Sequence, residues 1–117
     1  MQALRRSTDW ITRSRILRHP AWPAEIQKWS LGYNTVRDMP RPDWPAGDGS
    51  GGVLEGFSST IRTDGSQPMR YAVRNDCTLE PAMLLAFDAT SLHRPRSGTI
   101  ATNLVDYILN RSGLAGG

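Results

Sequence analysis

The sequence holds a single cysteine, Cys77, so no disulfide can close within the chain and a secreted disulfide scaffold is excluded. It holds one lysine, Lys28, against thirteen arginines. No stretch approaches the roughly 18 consecutive apolar residues of a membrane span. Arg5 and Arg6 have no apolar run behind them, which excludes a signal peptide. A cytoplasmic protein without membrane contact is expected. Apolar residues make up only 38%, below the usual ~45–50% of globular chains, so the core is expected to be thin.

Other absences narrow the chemistry. His19, His93 and Cys77 lack the spacing of metal ligands, so no metal site is expected. The glycine-rich stretch Asp48-Gly49-Ser50-Gly51-Gly52 lacks the Lys-Ser/Thr of a phosphate loop, so no nucleotide cofactor is expected either. The net charge is +3, and Arg5, Arg6, Arg13, Arg15 and Arg18 crowd the first segment while the other arginines are scattered. That distribution reads as a solvated helix face, not a nucleic-acid surface.

A chain of 117 residues is one unit at most. Residues 1–18 read as a helix, with Trp10, Ser14 and Leu17 at i, i+4, i+7 and with Leu4 and Ile11 beside them; His19-Pro20 is expected to end it. Residues 19–52 form a Pro/Gly-rich loop region with one short turn over Ala24–Trp29, anchored by Trp29, Tyr33 and Trp44. Residues 53–74 read as a β-hairpin. Val53, Glu55, Phe57, Ser59 and Ile61 share one face, Met69, Tyr71 and Val73 alternate, and Asp64-Gly65 supplies the turn. Pro68 marks a strand start or an edge.

Residues 78–112 read as a helical hairpin. Asp76 or Thr78 caps the first helix, Pro81 helps to start it, and its apolar residues run nearly all round. His93–Gly98 is the connecting loop, and a second helix over Thr99–Arg111 is stopped by Gly113. Phe87 and Tyr107 are expected in the core. The expected class is mainly α with a small β-hairpin, an α+β unit. A helix apolar on every side needs partners on more than one side, which implies an incomplete piece of a larger helical-hairpin protein.

The stretch Gly52–Ala89, followed by Asn103-Leu104, resembles bacterial six-hairpin, (α/α)6-barrel glycosidase-like proteins of a poorly characterised group. The matching segments are the Trp10–Leu17 helix, Glu55-Gly56-Phe57, Asp64-Gly65 and Arg74-Asn75-Asp76-Cys77-Thr78-Leu79-Glu80. The resemblance implies that the chain supplies the first hairpins of such a barrel, with carbohydrate as the partner, and that it is inactive alone.

Glycoside hydrolysis uses two carboxyl groups, and Asp76 and Glu80 lie one helical turn apart. They are the catalytic candidates. Arg74, Glu55, Tyr71 and Trp44 are the substrate-binding candidates: a cation to hold a carboxylate, a carboxylate, and aromatic rings for sugar faces. The plainer alternative makes Asp76 an N-cap, Glu80 a first-turn acid favoured by the helix dipole, and Arg74 their ion-pair partner. A different class of function also stands open, a non-catalytic module that binds a protein partner or itself through an exposed apolar helix face.

Overall fold

The computed structural model describes residues 2–31 and 36–111, the side chains of Gln27, Leu31 and Asp76 excepted. Tyr33 and Gly113 lie outside the described residues. The fold is α+β. Helices α1 (Gln2–Arg13) and α2 (Glu25–Leu31) precede strands β1 (Val36–Arg37), β2 (Leu54–Phe57) and β3 (Met69–Val73). Helices α3 (Asn75–Ser91) and α4 (Pro95–Asp106) follow, and α4 runs on into a wider π turn over Tyr107–Arg111. The sheet is antiparallel with β3 in the centre, in the order β1-β3-β2. Among the described residues no helix is long and apolar enough to cross a membrane.

The first helix is shorter than its periodicity suggests. It stops at Arg13, and Arg15 adopts a positive φ of 64° that turns the chain away. Ile16 to Arg18 then run along the sheet instead of the helix. Leu17 bridges Val53, the Leu54 N–H donates to the Ile16 carbonyl (2.7 Å), and the Arg18 N–H donates to the Gly52 carbonyl (3.0 Å). Local periodicity lost here to tertiary pairing, because the backbone groups of 16–18 find strand partners.

The loop region is more ordered than its Pro/Gly content implies. It contributes α2 and β1, and Arg15 holds the stretch after them by donating to the carbonyls of Arg41, Pro42 and Trp44 at 2.9, 2.8 and 2.7 Å. Trp22 donates its indole N–H to the Pro45 carbonyl (2.7 Å) and packs on Trp44 with ring centres 5.5 Å apart. Gly47 is required by close approach, since a Cβ there would come within 2.1 Å of the Leu17 carbonyl oxygen.

Within the sheet, Leu54 pairs with Val73 and Gly56 with Arg70, so Tyr71 and Ala72 together face Glu55. This bulge on β3 breaks the expected alternation and buries Tyr71 and Ala72 both. Strand β2 ends at Phe57, so Ser59 and Ile61, expected on its face, lie beyond it. Beyond it the hairpin is held by the Ser58 N–H on the Pro68 carbonyl (2.8 Å) and closes at Asp64-Gly65.

The α3–α4 hairpin packs through Ala82, Leu85, Ile100, Ala101 and Leu104, all buried. Three expectations about it are corrected. Helix α3 begins at Asn75, and Arg74 in the cap position makes no side-chain cap bond. Pro81 lies inside α3 and Pro95, not Pro81, occupies a first helical turn. Residues 95–98 therefore belong to α4. Gly98 sits inside that helix because a Cβ there would press on the Ala89 Cβ at 3.3 Å, so its lack of a side chain permits the close helix crossing.

Candidate functional site

A groove of about 640 Å³ lies where α1, β2 and α3 meet. Ile11, Ile16, Leu54 and Leu84 form apolar walls. On α3, Cys77, Glu80, Pro81 and Leu84 recur at i, i+3, i+4 and i+7, which turns them all toward the groove. The bulge opposite Glu55 aims that side chain into the same space, with Arg70 at 3.8 Å from its carboxylate. Trp10 completes the mouth. It is 49% exposed, with its ring tilted against Phe57 at 6.2 Å.

Glu55 and Glu80 are thus brought together, and the other candidates are placed elsewhere or not at all. Tyr71 is 1% exposed, stacks edge-on with Trp29 at 5.2 Å, and donates its hydroxyl to the Asp38 carbonyl at 2.5 Å. Burial first, and the Asp38 charge second, push its pKa up to about 12. Trp44 is packed against Trp22 and does not line the groove. Arg74 is exposed at the start of α3, where its carbonyl accepts from the Thr78 hydroxyl at 2.9 Å. The backbone of Asp76 belongs to the first turn of α3, and its side chain lies outside the described ones. Neither histidine lines the groove: His19 accepts from the Ala21 N–H (2.9 Å) and His93 turns the α3–α4 corner with φ 53°. Among the described residues no three His, Cys, Asp or Glu side chains converge as metal ligands would.

Compared with protein-family models, curated proteins and solved structures, the chain gives no match in any of the three. The geometry stands by itself.

Two further features stand outside the groove, the first unforeseen in the sequence and the second expected there as an exposed apolar helix face. The first is a polar cluster. Asp88 is fully buried; its Oδ2 accepts from the Ser97 hydroxyl (2.5 Å) and pairs with the Arg94 Nε (3.0 Å), while its Oδ1 has no hydrogen-bond partner. Arg94 reaches on to Asp9 of α1 at 2.5 Å. That bond is the main cause holding the Asp9 carboxyl below its ordinary range. The signal was legible as the one acid inside the apolar run of α3.

The second feature is the outer face of the helical hairpin. Leu79, Met83, Phe87, Val105 and Leu109 are 43–67% exposed. The expectation that Phe87 is core packing is overturned, because α3 turns that face away from the sheet. Between the two helices runs a second groove of about 440 Å³, lined by Ala82, Ala86, Ala101, Val105 and Leu109 among others.

Proposed function

We propose that the chain is a helical interaction unit whose α3–α4 hairpin receives a further helix on its outer face. The supporting observation is the row of large exposed apolar side chains beside a groove floored by alanines. Leu79, Met83 and Phe87 repeat every four residues and form one ridge, and Val105 and Leu109 form the other. Small residues between two ridges leave room for the larger side chains of an incoming helix. Contiguous exposed apolar surface of this kind marks interaction sites. In an (α/α)-barrel-like, six-hairpin protein the incoming helix would belong to the next hairpin. For this chain on its own it comes from a second copy.

Sedimentation equilibrium across a concentration series tests the reading. A discrete dimer that Phe87→Glu and Val105→Lys each return to monomer supports it. A wild-type chain that stays monomeric throughout removes it, while open-ended soluble aggregate points to a hairpin whose partner lies in a longer protein.

A carbohydrate reading is favoured by one separate observation, the shared groove of Glu55, Glu80 and the half-exposed Trp10 ring. Glycoside hydrolysis uses two carboxyl groups, and an exposed aromatic ring beside them suits the C–H face of a sugar. In a protein with glycosidase activity Glu80→Gln should abolish turnover; unchanged activity in that variant, and in Asp76→Asn, would remove both residues from the catalytic role.

A further inference from the structure

We infer that the groove between α1, β2 and α3 binds a small amphiphilic amine, its apolar stem against Ile16, Leu54 and Leu84 and its ammonium head at Trp10, Glu55 and Glu80. The first argument is charge. The chain carries +3 and thirteen arginines, yet among the described residues no basic side chain lines this groove, and the two acids that do are both glutamates. Arg70 offsets the Glu55 charge from 3.8 Å, so the groove's excess charge is the negative one of Glu80, opposite in sign to the molecule's net charge, and a concave apolar wall concentrates such a field.

The second argument is the division of the surface. The walls are aliphatic, and an alkyl stem laid along them releases water from both partners. The polar groups sit at the mouth, where a charged head stays partly hydrated. There the Trp10 ring offers its face, held by Phe57, and an ammonium above an indole gains from the ring quadrupole. Arg70 stands 3.8 Å from Glu55, too far for a hydrogen bond, so that carboxylate retains acceptor capacity for an entering cation. An anionic head would meet the like charge of Glu80, and a neutral sugar head would forgo the ionic contact.

The test is a titration of the 15N-labelled chain with octyltrimethylammonium, octyl sulfate and octyl glucoside, each below its micelle concentration. The readout is the Trp10 indole resonance, assigned with Trp10→Phe, because the surface arginines draw anionic amphiphiles to other places. Saturable binding of the ammonium compound, about tenfold tighter at Trp10 than the sulfate, is expected from one exposed cation–π contact and one partly exposed ion pair. Glu80→Gln should cut that preference several-fold while the Trp22 resonance, remote from the groove, stays in place. Equal response to all three compounds, or none to the ammonium compound, overturns the inference. A preference for the glucoside overturns it too, and favours the carbohydrate reading instead.

Discussion

The inner and outer faces of the α3–α4 hairpin are built from the same kinds of side chain and meet opposite fates. Inside, Ala82, Leu85, Ile100 and Leu104 are 0–3% exposed; outside, Met83, Phe87, Val105 and Leu109 are 43–67% exposed. Hydrophobicity alone gives α3 no reason to choose one face over the other. The choice is made by two polar residues. Thr78 and Asp88 stand at the two ends of the inner stripe that also holds Ala82 and Leu85, and both are fully buried. The Thr78 hydroxyl accepts from the Val53 N–H (3.4 Å) at one end, and Asp88 takes Ser97 and Arg94 at the other. Turning the helix would strand these groups without partners, at a cost larger than the gain from burying one more apolar side chain. Buried polar contacts here set orientation more than they add stability.

Substitutions on the two faces should therefore behave differently. Leu85→Ala on the inner face is expected to cost about 3 kcal/mol, the middle of the range for a buried leucine, read as a fall in the urea midpoint. Asp88→Ala should cost about 2–3 kcal/mol, because it leaves the Arg94 and Ser97 groups without their shared acceptor. If that variant proved as stable as the wild type, the pinning role of Asp88 would be wrong.

Acidification should loosen the same cluster from the α1 side. The folded Asp9 pKa is depressed, so its contribution is fully present above the unfolded value of about 3.9 and is lost as pH falls through the lower folded value. Urea midpoints compared at pH 6 and pH 3 should fall less for Asp9→Asn than for the wild type. Phe87→Ala, measured at a concentration where the chain is monomeric, should give the smallest stability change, under about 0.5 kcal/mol, since its side chain is already in water. A loss above 2 kcal/mol in the monomer would place Phe87 in a core that the structure does not contain.

Much of the fold was legible because it rests on local signals. The Asp64-Gly65 turn, the existence of a strand from Met69 to Val73, and the two helices flanking His93-Arg94 all follow from turn chemistry and periodicity. What was not legible depends on distant partners. Nothing near Ile16 announces that its carbonyl will serve Leu54, and nothing near Val36 announces that two residues will pair with β3. The bulge at Tyr71-Ala72 likewise exists only in the register of a pair. The site divides in the same way. Glu80 was marked by its place near a helix start, and Glu55 by its strand face. The burial of Tyr71 came from α2 packing across β3, with Trp29 of that helix against its ring, which no spacing within 53–74 reveals.

The central claim is that the outer hairpin face, not the inner face or the groove, is the surface of association. Methyl resonances followed across a concentration series test it most directly. Shifts confined to Leu79, Met83, Val105 and Leu109, with Leu85 and Leu104 unchanged, are the predicted result. Movement of Ile16, Leu54 and Leu84 with the outer methyls silent would contradict it.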